Sequence, residues 1–137
     1  MSSHSLRWIA IGAILGAIGV GLGAFGAHVL PGLLGNWGYE GAEAARRISI
    51  FETAIRYQML HALALVLAGL LLDRRFCNCW NFAAWAFLLG VLVFSGFLKV
   101  LTFAGPQWNW LGAIVPIGGV SMIVGWLSLA VGALRKV

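Results

Sequence analysis

Of the 137 residues in the chain, 61% are hydrophobic and only 9% are charged. About a quarter of the residues in a soluble domain are charged, so this composition excludes a soluble globular protein. The net charge is +5, but the basic residues stand mostly at the ends of four apolar runs. That placement is typical of membrane topology signals and argues against a nucleic-acid partner.

The four apolar runs cover residues 8–30, 50–72, 80–103 and 110–134 approximately, and the helix that contains the second run is predicted over residues 42–72. A helix of about 20 apolar residues crosses the hydrocarbon of a bilayer. The sequence therefore predicts a single all-α domain over residues 1–137, an integral membrane four-helix bundle. The first run is longer than the apolar core of a signal peptide, which has about 7–15 residues, so we expect it to be a transmembrane helix.

The first helix carries a stripe of glycines at alternating steps of four and three. Small residues let helices approach closely in lipid, where van der Waals packing drives their association. The stripe consists of Gly12, Gly16, Gly19, Gly23 and Gly26. The fourth helix has a shorter stripe of Gly118, Ser121, Gly125, Ser128 and Gly132. We expect these two helices to make the closest contacts, with each other or with another copy of the chain.

The second helix follows a predicted loop over Pro31–Gly41. Apart from His61, its strictly apolar part is Met59–Leu72; these residues rise only about 21 Å, less than the span of a bilayer. We therefore expect this long helix to start outside the bilayer. Glu52 and Arg56 stand four residues apart and are expected to pair on one face.

Proline and charge complete the prediction for the last helix and the topology. Pro116 lies about two turns into the fourth helix and is expected to kink it or to mark a local opening, because it removes a backbone donor. If the N-terminus is cytoplasmic, five basic residues lie on the cytoplasmic side: Arg7, Arg74, Arg75, Arg135 and Lys136. The other side holds two arginines and two glutamates, Arg46, Arg47, Glu40 and Glu43. The positive-inside rule then predicts that both termini are cytoplasmic.

Polar residues within membrane segments are costly and often mark function. In the predicted topology they gather toward the outer ends of the helices, with His61 nearer the middle. They predict a hydrogen-bonded or wet pocket beneath the Pro31–Gly41 loop. The candidate pocket residues are His28, Glu52, Arg56, Tyr57, Gln58, His61, Ser95 and Lys99.

Several members of this set also have a structural explanation. Lys99 can extend its long side chain to the interface. His28 can cap the first helix, and His61 can bridge helices by a hydrogen bond. On straight helices His28 and His61 differ in depth by more than about 10 Å, which argues against a shared metal or haem. The pair Cys77 and Cys79 alone is no metal site, so the sequence predicts neither a metal nor a cofactor.

Five sequence blocks, in order along the chain, resemble a known family. They are Leu22–His28, Phe51–Ala54, Tyr57–Leu65, Phe94–Gly96 and Pro116–Gly119, the last followed by Gly125 and Trp126. They are similar to the YgdD/YwdK-like family of small bacterial inner-membrane proteins of unknown function, which has mitochondrial relatives. The resemblance implies four membrane helices, a multi-pass protein of the bacterial inner (cytoplasmic) membrane and no established activity. The chain differs from the family pattern at Phe97 and Lys99, where a small residue and a tyrosine are usual.

Three functional hypotheses follow. The first is a non-enzymatic bundle that binds a lipid, a small apolar ligand or a partner membrane protein, with a homo-oligomer also open. The second is a small proton-coupled carrier that uses His61 and Glu52. The third is a membrane enzyme for a lipophilic substrate, although no catalytic set of side chains stands out in the sequence.

Overall fold

Four helical segments, each long and apolar enough to cross a membrane, form the fold. A computed structural model describes residues 1–135, so Lys136, one of the five predicted cytoplasmic charges, lies outside the described residues. The four segments are Ser3–His28, Gly41–Arg74, Asn78–Phe103 and Pro106–Leu134. The predicted all-α bundle with four membrane-length helices is thereby confirmed.

Two of the four segments are irregular. The third consists of α4, Asn78–Gly90, a π-helical turn, Val91–Ser95, and α5, Gly96–Phe103. The fourth opens with a 3₁₀ helix, Pro106–Ala113, and continues as α6, Val115–Leu134. The remaining elements are α1, Ser3–His28, the short α2, Leu30–Asn36, and α3, Gly41–Arg74.

The segments pair as two helical hairpins. In the first, α1 packs along α3; in the second, α4 and the π-helical turn pack along α6. The first hairpin meets the second mainly through α3, which also contacts α4 and α5. Each small-residue stripe therefore packs within its own hairpin. The expected contact between the two stripes does not occur within residues 1–135.

Glycines spaced by seven residues make the close contacts inside each hairpin. A Cβ atom on Gly12 would lie 2.7 Å from the Ala62 carbonyl oxygen, and one on Gly118 would lie 2.5 Å from the Phe94 nitrogen. Seven residues make nearly two helical turns, so the spacing keeps these glycines on one face. Six tight positions follow this spacing, namely Gly12, Gly19, Gly26, Gly118, Gly125 and Gly132, and Gly69 and Gly90 on the facing helices are equally close to their neighbours. By contrast, a Cβ on Gly16 would meet no atom within 4 Å, and one on Gly23 only Ile55 at 3.8 Å.

Two local expectations are corrected. Pro116 lies in the first turn of α6, where a missing N–H leaves no helical hydrogen bond unmade, so it starts the helix instead of kinking it. The segment expected as a loop contains α2, whose Leu30 and Leu34 pack on Phe51 and Ile55. Apolar side chains therefore fill the space beneath this segment, where the sequence predicted a wet pocket.

Candidate functional site

Three polar side chains lie on the buried seam of the central helix, α3. The seam repeats at alternating steps of four and three residues, as in a heptad pattern. Its buried members are Arg47, Phe51, Ala54, Gln58, His61, Leu65, Ala68 and Leu72. Each of the three polar members, Arg47, Gln58 and His61, bonds a different part of the second hairpin.

Arg47 binds the end of α5. Its Nη1 donates to the carbonyl oxygens of Thr102 at 2.7 Å and Ala104 at 3.1 Å, and its Nε donates to Glu43 at 2.8 Å. The guanidinium carbon also lies 3.9 Å from the centre of the Tyr39 ring. A cation at a helix C-terminus satisfies carbonyls that have no partner within the helix and matches the helix dipole.

Glu43 supports this arrangement from outside the apolar part of α3. Its carboxylate accepts hydrogen bonds from Nε and Nη2 of Arg46, both at 3.0 Å, and from Nε of Arg47 at 2.8 Å. Glu43 therefore holds both guanidinium groups.

Gln58 joins three helices. Its side-chain amide nitrogen donates to the Leu15 carbonyl oxygen on α1 at 2.8 Å, and its amide oxygen accepts a hydrogen bond from Lys99 on α5. Gly19 lies beside this bridge: a Cβ there would collide with the Met59 sulfur and would lie 3.4 Å from the Gln58 nitrogen. The absent side chain at Gly19 thus chiefly makes room for Met59.

Lys99 points toward the middle of the bundle. It lies one helical turn before the end of α5, which Arg47 caps. Its amine meets Gln58, which follows Arg47 by eleven residues, a rise of about 16 Å. The Lys99 side chain is therefore turned into the bundle toward Gln58, and its extension to the interface stays a prediction.

His61 uses both of its ring nitrogens. Nδ1 lies 2.8 Å from the carbonyl oxygen of Tyr57, and the indole Nε1–H of Trp126 donates to Nε2 at 3.2 Å. An indole N–H only donates, so Nε2 is the acceptor and Nδ1 carries the proton. The hydrogen bonds thus assign a neutral imidazole that ties α3 to α6.

We expect His61→Leu to lower the stability of the bundle. The substitution leaves the Trp126 N–H without its acceptor, and hydrogen bonds of this kind in membrane proteins contribute about 0.6 kcal/mol and up to about 2. His61→Gln retains an acceptor and should lose less. Denaturant titration of the purified variants in micelles measures both; equal stability of His61→Leu and the wild type would contradict the bridging role.

Two further candidates lie near this set, the buried Ser95 and the exposed Tyr57. The Ser95 hydroxyl, in the π-helical turn, is fully buried and has no hydrogen-bond partner among the described residues. Tyr57 stacks on His61 with ring centres 6.1 Å apart and contacts Phe94 at 4.7 Å. A groove of about 240 Å³ opens beside Tyr57, His61 and Trp126.

Glu52 and Arg56 lie apart from the interior set, on the opposite side of α3. Both are exposed, and within residues 1–135 no ion pair of 4 Å or less joins them. They line a groove of about 420 Å³ between α1 and α3, together with Gly23, Gly26, Ala27, Phe51 and Ile55. The expected ion pair between Glu52 and Arg56 is therefore not formed in the described structure, and both residues line the groove.

The structure does not gather the eight candidate residues into one pocket. Gln58, Lys99 and His61 form bonds between helices, while Glu52 and Arg56 line the α1–α3 groove. His28 is exposed at the end of α1 and joins neither set. No group of three or more potential metal-ligating side chains occurs in the part of the chain that the structure describes.

Arg47 is the site residue that the sequence analysis missed. It was assigned to the charge balance of the outer side together with Glu40 and Glu43. The signal that identifies it is periodicity, because Arg47 continues the buried heptad seam outward from Phe51. An arginine at a seam position next to apolar members is a candidate for a buried side chain that caps the end of a neighbouring helix.

Comparison with known proteins places the chain among uncharacterised membrane proteins. It is 40% identical over 130 residues to a UPF0382 membrane protein of Staphylococcus haemolyticus, an alignment that covers 95% of this chain and 97% of that protein. It is 36% identical over 129 residues to the UPF0382 membrane protein YwdK of Bacillus subtilis, covering 93% and 96% of the two chains. No solved structure matches the chain. The family described as "Protein of unknown function (DUF423)" matches residues 22–119, and the chain belongs to this family of membrane proteins, as the resemblance predicted.

Proposed function

We propose that the protein is a non-enzymatic membrane bundle that binds a phospholipid in the α1–α3 groove. The observation that carries the proposal is the pair of unpaired opposite charges, Glu52 and Arg56, in an otherwise apolar groove. Arg56 is suited to a lipid phosphate, and Glu52 to a headgroup ammonium. The chemistry therefore favours a zwitterionic headgroup that carries a primary amine, as in phosphatidylethanolamine.

The walls of the groove suit an acyl chain. Gly23 and Ala27 on α1 have little or no side chain, and the largely buried Phe51 and Ile55 on α3 form an apolar floor. Gly16 continues the open strip along α1 toward the middle of the helix. A lipid acyl chain in the groove would lie directly against the backbone of α1. It would gain van der Waals contacts there that the mobile lipids around the protein do not make.

Filling the groove tests this proposal. Gly23→Leu places a side chain in the groove, whereas Gly21→Leu adds the same side chain where a Cβ meets no atom within 4 Å. In native mass spectrometry from detergent containing phosphatidylethanolamine, we expect the wild type and Gly21→Leu to retain one lipid and Gly23→Leu to lose it. Equal retention by both variants would argue against the groove.

Charge reversal distinguishes the headgroup. With Arg56→Glu we expect weaker retention of phosphatidylethanolamine, since the phosphate then meets two carboxylates. Glu52→Lys should instead favour phosphatidylglycerol, whose headgroup has no ammonium. Unchanged lipid preference in both variants would contradict headgroup recognition.

The carrier hypothesis has less support. It uses His61 and Glu52, but they stand nine residues apart on α3, a rise of about 13 Å, and Glu52 faces the groove while His61 is buried on the seam. A second proton on His61 would oppose two donors, Nε2–H and the Trp126 N–H, and break the bond between α3 and α6. The arrangement therefore favours a structural histidine.

We further propose that the protein resides in the bacterial inner membrane with both termini in the cytoplasm. This orientation rests on the basic residues Arg7, Arg74, Arg75 and Arg135 at one end of the bundle. A membrane-impermeant thiol reagent applied to intact cells should label Cys introduced at Asn36 and leave Cys77 and Cys79 unlabelled. The reverse labelling would invert the topology and place the groove in the cytoplasmic leaflet.

A further inference from the structure

A groove between the starts of α1 and α4 is polar at one end and apolar at the other. It has a volume of about 260 Å³. Its lining residues are His4, Arg7, Trp8 and Ile11 on α1 and Asn81 and Trp85 on α4. His4, Arg7 and Asn81 stand near the first residues of their helices, whereas Ile11 and Trp85 lie one turn farther along. This α1–α4 groove is therefore polar at the end of the bundle and apolar toward its middle.

The Trp8 indole fixes the orientation of the Asn81 amide in this groove. Its Nε1–H donates to Asn81 Oδ1 at 3.0 Å, and an indole nitrogen only donates, so the bonded atom of the amide is its oxygen. The amide nitrogen keeps two N–H groups, which donate to no residue within 1–135. Trp8 is itself held in place, because it is buried and packs edge-to-face on Trp85 with ring centres 4.9 Å apart. The fold thus presents a hydrogen-bond donor to the groove.

Arg7 adds a positive charge that has no anionic partner in the described structure. It is exposed, and no ion pair of 4 Å or less includes it among residues 1–135. The acidic residue at this end of the bundle is Asp73, which accepts from the Ser2 amide at 3.0 Å and lies 3.8 Å from the N-terminal amine. The other three acidic residues lie in the first half of α3 or just before it, at the opposite end. The charge and the free donors of the groove therefore match an anion.

We propose that the α1–α4 groove binds an anionic phospholipid whose phosphate is held by Arg7 and Asn81. A phosphodiester only accepts hydrogen bonds, and the guanidinium and the free amide nitrogen only donate. One acyl chain lies against Ile11 and Trp85, so the polar-to-apolar order of the groove is that of the lipid. The 26 residues of α1 rise about 39 Å, which exceeds the hydrocarbon thickness of about 30 Å and leaves room for the first turn in the headgroup layer.

The lining of the groove also sets the headgroup preference. In the α1–α3 groove, Glu52 accompanies Arg56 and favours a headgroup with an ammonium. In the described chain no acidic residue lines the α1–α4 groove, so an ammonium has no partner there. The chemistry therefore favours a phosphodiester without an amine, as in phosphatidylglycerol. Arg7 and Gly23 stand sixteen residues apart on α1, a rise of about 24 Å, so the two lipid sites are separate and either proposal can fail alone.

A photoactivatable lipid tests the proposal on the unchanged protein. The probe is phosphatidylglycerol with a diazirine in one acyl chain, added to the protein in detergent micelles, and mass spectrometry of peptides locates the cross-links. We expect saturable cross-links around Trp85 on α4 and Ile11 on α1. Unlabelled phosphatidylglycerol should displace the probe about 5-fold more effectively than phosphatidylethanolamine, since the ammonium meets Arg7 without a compensating acid. Inorganic phosphate should not displace it.

Three outcomes of the cross-linking would overturn the proposal. Without saturable cross-links in the groove, no lipid occupies it. Equal displacement by phosphatidylethanolamine would show that the groove does not select an anionic headgroup. Displacement by inorganic phosphate at the same concentration would show that the site takes a free anion.

Two arginines at the same end of the bundle separate a defined site from general attraction. Arg7→Gln should raise the probe concentration for half-maximal labelling by at least about 10-fold, because charge-assisted hydrogen bonds to the phosphate are lost. Arg74→Gln removes the same charge from an exposed position outside the groove and should change this concentration little. Equal shifts in the two variants would overturn the site.

A substitution at Asn81 tests the donor itself. In Asn81→Asp a carboxylate oxygen can still accept from Trp8, but a negative charge replaces the free N–H groups, so we expect labelling to fall at least as far as in Arg7→Gln. Labelling equal to that of the wild type would overturn the proposal. Gly23→Leu, which fills the α1–α3 groove, should leave these cross-links unchanged. Their loss in Gly23→Leu would contradict a separate site for the anionic lipid.

Discussion

Replacing Arg47 by methionine should destabilise the bundle by about 3 kcal/mol. Arg47 is 4% exposed, and its guanidinium bonds two carbonyls at the end of α5 as well as Glu43. Methionine fills a similar volume but leaves those buried carbonyls and the carboxylate without their donor, and breaking such a buried charged contact typically costs about 3–5 kcal/mol. We take the lower value because Glu43 is partly solvated and keeps Arg46.

The neighbouring Arg46 supplies the matched control. It also bonds Glu43, but it is exposed and bonds no carbonyl of the second hairpin. Arg46→Met should therefore change stability little, as is usual for surface ion pairs. Unfolding in mixed micelles with increasing denaturing detergent gives the comparison; similar losses in both variants would show that Arg47 acts only through Glu43.

The second large effect is expected at Gly118. A Cβ there would lie 2.5 Å from the Phe94 nitrogen and 3.0 Å from its Cα. Because these are backbone atoms, relief requires α6 to move away from the π-helical turn. Overpacking of this kind costs about 1–3 kcal/mol, so Gly118→Ala should lower stability by that amount.

The adjacent Gly119 separates steric contact from helix propensity. A Cβ there would meet only the Phe94 ring, at 3.7 Å, an ordinary contact. Gly119→Ala should therefore leave stability unchanged or raise it by up to about 1 kcal/mol, the helix preference of alanine over glycine. The same detergent titration serves both variants, and a loss at Gly119 equal to that at Gly118 would refute the backbone contact.

The positions of the helices were predictable, but their partners were not. Apolar length alone predicted the four membrane segments, because hydrocarbon thickness sets a minimum run of apolar residues. A glycine indicates that another helix lies close without indicating which one, so the stripes on the first and fourth helices were expected to contact each other or another copy of the chain. In the structure each meets the helix beside it in sequence, as short connections favour.

For the interior polar residues, too, the positions were predictable from the sequence and the partners were not. Sequence identified Gln58, His61 and Lys99 because polarity within an apolar run is conspicuous. It did not predict that Lys99 points inward, since the long side chain fits either direction and only the position of Gln58 decides. Nor did it identify Trp126 as the partner of His61, because an indole in a membrane helix is also an ordinary interfacial residue.

The heptad seam of α3 also determines how the two hairpins align. Hydrogen bonds between them occur at three levels along this helix, at Arg47, Gln58 and His61. Apolar and glycine contacts tolerate sliding, but a shift of one helical turn, about 5.4 Å, would separate all three donor–acceptor pairs at once. In lipid there is no water to replace them. The polar side chains thus act as register marks that favour this one alignment of the two hairpins over any that is shifted along α3.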